Sequence, residues 1–262
     1  MKTTKLDPRT LYDLDMEERI SLLKDHYELN HINIEGENKK AFLGLKHIGS
    51  LEKGKDGYNI TVIDDSTGYL TLHEFLHVWL EETGRTFDVS NEDPELEDYL
   101  FWFRNTINDY LIETEVKKQA REYYAGDAKY TRDRDLKGQF LGGGFQDSTL
   151  PVLMLGLTSR AISTLYPSMK DSISAQLFGE CISSDGIEGF INTLTQYDSS
   201  INPEQYQEAV KRVHKAFVCS DLTFEDNGKV KVNPESVKYV IQDFERVYNR
   251  IQGLLKFALG RK

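Results

Sequence analysis

The run LTLHEFLHVWLEETG, residues 70–84, limits the fold more than any other stretch of the chain. Leu72, Phe75, Leu76, Trp79 and Leu80 recur at helical spacing and make a contiguous apolar stripe, so this helix needs a core to lie against. His73 and His77 are four residues apart and share a face at the edge of that stripe. A fold that satisfies both demands buries one side of the helix and opens a cleft along the histidine edge. The turn-forming DDSTG of residues 64–68 precedes the helix, and Gly84, suited to the left-handed conformation beyond a helix end, closes it.

Two imidazoles one turn apart can donate to one cation, while Glu74, about 100° round the helix from His73, reaches a metal-activated water. The pattern is HExxH. A competing account makes Thr71 and Glu74 a TxxE capping box, which occupies the glutamate but leaves both histidines unexplained. A catalytic zinc site takes three protein ligands. Leu80 and Thr83 occupy the positions where an extended HExxHxxGxxH motif has its glycine and third histidine, so a carboxylate from a second helix is the remaining common solution. In FWFRNTINDYLIETEVKKQARE, Asp109 and Glu113 share a face, one to ligate a metal and the other to hydrogen-bond a ligating histidine. The plain alternative for that pair is a solvated helix face.

The surrounding pattern predicts an α+β, mainly helical chain. Residues 10–29 have a rough helical rhythm, and two β-prone runs within 41–63, separated by EKGKDG, read as paired strands. Apolar residues from Leu96 to Val116 predict a helix over 95–124. The polar, glycine-bearing stretch 125–148 reads as a flexible loop or boundary that divides a metal-binding domain, 1–124, from a helical C-terminal region, 149–262, packed on it. In that region one helix is opened by Asn202 and Pro203 and a long last one by Asn233 and Pro234.

HEFLH followed by a carboxylate-bearing helix resembles the zincin metallopeptidases, specifically the gluzincin type. NTINDYLIE, residues 105–113, is similar to the NxxEDxxIE helix of several bacterial and phage metallopeptidases, with Asn108 at its first acidic position. The resemblance covers about residues 58–124. It implies a zincin-like core, Zn2+ held by His73 and His77, and Glu74 as general base toward a metal-activated water attacking a peptide carbonyl. Glu113 is the preferred third ligand, because IETEVKKQA also resembles an ExEA pattern; Asp109 is the runner-up or the orienting acid, and Glu115 remains open. A further donor for a developing oxyanion would suit Tyr110, Tyr123, Tyr124 or Tyr130, among which spacing does not choose.

Charge narrows the partners. With 32 Lys and Arg against 43 Asp and Glu, the formal charge of −11 disfavours a general grip on nucleic-acid phosphates. The two cysteines, Cys181 and Cys219, form no CxxC pair, which suits a reducing compartment. The N-terminus lacks a secretory pattern, and LPVLMLGL, residues 150–157, falls far short of the roughly 20 residues of a membrane span. The expectation is a cytoplasmic zinc metallopeptidase acting on a peptide or protein. The alternative is a non-catalytic zincin-fold structural or assembly protein, such as a phage virion component, with a structural or vestigial metal site.

Overall fold

The computed structural model describes residues 5–41, 48–86, 94–141, 149–181, 188, 223–224, 230–231 and 234–258. A 3-10 turn, Pro8–Leu11, leads to helix α1 (Met16–His26), strands β1 (Ile34–Lys39), β2 (Gly49–Lys53) and β3 (Tyr58–Ile63), and helices α2 (Tyr69–Glu82), α3 (Pro94–Ala120), α4 (Ala125–Leu141), α5 (Thr149–Leu165) and α6 (Ile173–Cys181). The short strands β4 (Thr223–Phe224) and β5 (Val230–Lys231) and the long helix α7 (Pro234–Ala258) follow. The protein is α+β and mainly helical, as its periodicity predicts.

The apolar stripe of α2 decides the centre of the fold. Leu72, Phe75 and Leu76 of this stripe, and Val78 beside it, are completely buried among β3, α1 and α3. Burying one such side chain contributes about 1.5–3 kcal/mol, so exposing this face would outweigh most of a domain's net stability. The start of α2 is fixed by Asp65, whose carboxylate accepts from Leu70 N at 3.2 Å, Thr71 N at 2.8 Å and Thr71 Oγ1 at 2.5 Å. Arg19 of α1 pairs with Asp65 at 3.3 Å. Thr71 therefore serves Asp65, and the TxxE capping box is overturned: the cap position belongs to Gly68, at φ 79°. Gly84, at φ 66°, ends the helix, with its N–H on Glu81 O and Arg85 N–H on Leu80 O, a Schellman closure.

The sheet has order β1-β3-β2, with β1 parallel and β2 antiparallel to β3. Two strands were expected and this sheet has three. The missed strand, IEGENK, exposes five of its six residues and so lacks an apolar face to announce it. Strand β2 also takes in Glu52 and Lys53, which the sequence assigned to a turn. Helix α1 begins at Met16 rather than near residue 10, because Asp15 and Glu18 form a reciprocal capping box there.

The largest correction concerns residues 125–148. Residues 125–141 form α4 rather than a loop; residues 142–148 lie outside the described ones, as do Asn202, Pro203 and Cys219. The polar sequence hides a helix because, Leu136 apart, its inward positions are small or charged: Ala125, Ala128, Thr131 and Arg132 are buried. Helix α5 contains the LPVLMLGL run and packs on α3, and α7 starts at the predicted Pro234. No helix among the described residues is long and apolar enough to cross a membrane.

Candidate metal centre

Three elements bring the chemistry together. Helix α2 presents His73, Glu74 and His77, α3 presents Asp109 and Glu113, and α4 brings Arg132 and Asp135. They border a cavity of about 910 Å³ that is also lined by Gly49 of β2.

Asp109 Oδ1 lies 3.7 Å from His73 Nε2 and 3.6 Å from His77 Nε2. These gaps exceed normal hydrogen-bond lengths. They approach the roughly 3.3–3.4 Å that separates ligands set tetrahedrally at about 2.0–2.1 Å from one cation. His73, His77 and Asp109 are the group among the described residues whose ligand atoms converge closely enough to hold a metal ion.

Of the two carboxylates, Asp109 rather than the expected Glu113 faces both imidazoles. Glu113 lies behind His73 rather than beside both imidazoles: its Oε1 is 3.0 Å from His73 Nδ1 and accepts from the Tyr69 hydroxyl, while Tyr166 donates to Oε2 at 3.3 Å. This completely buried carboxylate turns Nε2 of His73 toward Asp109. Helix geometry explains the exchange: both acids share a face of α3, but Glu113 is one turn further along and meets α2 near Tyr69, behind the histidines. Glu115 bonds Gln119 at 2.7 Å and takes no place in the group.

Glu74 is buried against β2. A Cβ on Gly49 would stand 2.2 Å from Glu74 Oε1, so the strand makes room for the carboxylate only because residue 49 is glycine. Burial raises the Glu74 carboxyl to about 7; His73 opposes the rise, and Asp109 and Asp135 add to it. Burial likewise lowers His77 to about 4, with the charge on His73 contributing, so its lone pair is free at neutral pH. For His73, burial disfavours the imidazolium, but Asp109 and Glu113 prevail and raise it to about 10. A proton and a metal ion thus compete for the same Nε2. Burial also acts on Asp109, yet Arg132 and the two histidines hold it well below the usual carboxylate range.

Arg132 and Asp135 were missed by the sequence reading, as were Gly49, Tyr69 and Tyr166. Arg132 Nη1 donates to Asp109 Oδ2 at 2.9 Å, and Nη2 lies 3.8 Å from Glu113 Oε1. Asp135 lines the cavity, and burial raises it to about 6 against the pull of Arg132. The available signal was the stripe Ala125, Ala128, Arg132, Leu136, helical in spacing but with an arginine at a core position. The tyrosines named as oxyanion donors do not border the cavity: Tyr110 is buried elsewhere, Tyr123 and Tyr130 are exposed, and Tyr124 bonds Pro8 O and Thr67 O.

Comparison with family models, with curated proteins and with solved structures found no match for this chain. The donor set and its geometry therefore carry the functional reading.

Proposed function

We propose that the protein is a zinc-dependent metallopeptidase of zincin type, with His73, His77 and Asp109 as ligands, Glu113 as the orienting acid and Glu74 as general base. The observation that carries this reading is the spacing of Asp109 Oδ1 from the two Nε2 atoms, 3.7 and 3.6 Å, on the wall of a cavity that also holds Glu74. Three protein donors with an open side are the catalytic pattern, whereas a structural zinc is normally closed by four. That difference favours the enzyme over a non-catalytic assembly protein. Two imidazoles and one carboxylate suit zinc, though other first-row ions fit the same donors.

When bound, zinc would supply Lewis acidity, drawing the pKa of water toward about 7 and polarising a carbonyl. Glu74, pressed against Gly49, accepts the proton of the attacking water on its carboxylate and returns it to the departing amine. Glu113 accepts a hydrogen bond from His73 Nδ1–H and so leaves Nε2 as the ring's ligating nitrogen. Among the described residues strand β2 ends the sheet, and it borders the cavity, so its outer backbone groups offer an extended peptide a strand to pair with. An intracellular location, with no nucleic-acid or membrane partner, completes the proposal.

Elemental analysis of the purified chain should find one zinc per molecule, lost in His77→Ala. Glu74→Gln should keep the metal and lower peptide hydrolysis by about 10²–10⁴-fold. A chain that binds no added zinc would refute the reading. Metal binding without hydrolysis of any peptide in a broad library would favour the assembly protein instead.

A further inference from the structure

We infer that Arg132 of α4 is a positioning residue for the metal centre: its guanidinium fixes Asp109 as a one-oxygen ligand and thereby keeps one coordination position open. The inference rests on the proposed metal site and adds a third helix to it.

The geometry is that of a fork. Nη1 holds Asp109 Oδ2 at 2.9 Å, which leaves Oδ1 to face His73 Nε2 and His77 Nε2. Nη2 stands 3.8 Å from Glu113 Oε1, the atom 3.0 Å from His73 Nδ1. One planar group therefore touches the carboxylate that would ligate and the carboxylate that orients a ligating imidazole. The Arg132 side chain is only 4% exposed, so its orientation is set by these partners and by the packing of α4 rather than by water. Lysine could not reproduce the contact, because an ammonium is a point charge without the planar spread that spans two carboxylates.

Two opposite effects on metal affinity follow, and geometry must outweigh charge for the inference to hold. A nearby guanidinium repels a dication, but here its charge is already matched by Asp109 and Glu113. Without Arg132, Asp109 is free to rotate and to offer both oxygens, which would fill the position a substrate needs.

The test uses cobalt(II) added to the metal-free full-length chain, with affinity and visible spectrum as readouts. The wild type should show the strong visible absorption of a four-coordinate ion. Arg132→Met should weaken binding about 10–100-fold, the usual effect of losing a partner of a ligand, and shift the spectrum toward the weak absorption of higher coordination. Arg132→Lys should show the same spectral shift, so it carries the test if Arg132→Met does not fold. A purely structural arginine would lower the melting temperature of both variants and leave affinity and spectrum of the folded protein unchanged, which would overturn the inference. So would tighter binding by Arg132→Met, the signature of simple repulsion. If the wild type binds neither cobalt nor zinc, the metal-site reading itself falls, and this inference with it.

Discussion

Helix α2 turns Leu72, Phe75, Leu76 and Val78 into the core, whereas α4, on another wall of the same cavity, buries Ala128, Thr131, Arg132 and Leu136. The first is held by apolar area removed from water. The second is docked through specific polar partners: Arg132 on Asp109, Asp127 on Thr67 at 2.9 Å, and Asp133 on the backbone N–H and hydroxyl of Ser174, both at 3.0 Å. A helix anchored by area tolerates small shifts, because the hydrophobic effect has no direction. A helix anchored by paired charges does not, because a buried charge that loses its partner is left uncompensated. The directionally anchored helix is the one placed against Asp109, the carboxylate that faces both imidazoles.

Three experiments sharpen or break this contrast. The largest effect belongs to α2: Phe75→Ala should destabilise the fold by about 3–5 kcal/mol in denaturant titration, from lost transfer energy and the cavity left behind. A cost below about 1 kcal/mol would mean that area does not anchor this helix.

The next concerns the polar edge of α2. Burial raises Glu74 from its ordinary 4.5 to about 7, so between those values the folded state binds the proton more tightly than the unfolded one. Stability attributable to this group is present at low pH and is lost as pH rises through that window. Glu74→Gln removes the dependence. In chelator-treated protein, the variant should therefore gain on wild type by up to about 3 kcal/mol from pH 4.5 to 7. A difference curve that is flat would place Glu74 in water rather than against Gly49.

The smallest tests α4. Asp133 caps the first turn of α6 from a neighbouring helix, and Asp133→Ala should cost about 0.5–2 kcal/mol, as loss of a cap does. If thermal unfolding does not change, polar docking of α4 is the wrong description and the contrast with α2 fails.

The legibility of the two helices in sequence follows from the same difference. His73, Glu74 and His77 were readable because their spacing and the stripe beside them are properties of one helix. Gly84 as the end of α2 and Pro234 as the start of α7 were readable for the same reason: caps are local. Strand β1 was not, since it is mostly exposed and gains its place by pairing with β3 in parallel. Nor was α4, whose helical period is occupied by alanine, threonine and arginine.

By itself the sequence determined that two imidazoles and a glutamate share one helix, that a second helix carries two acids on one face, and that the chain is mainly helical. These are matters of period, fixed by backbone geometry within a few turns. Tertiary structure alone decided that Asp109 rather than Glu113 faces both imidazoles, that Gly49 makes room for Glu74, and that Arg132 belongs to the site. The physical reason is that two acids one turn apart are equivalent along their own helix. They become different only when the height and rotation of α3 against α2 and α4 set which carboxylate meets which nitrogen.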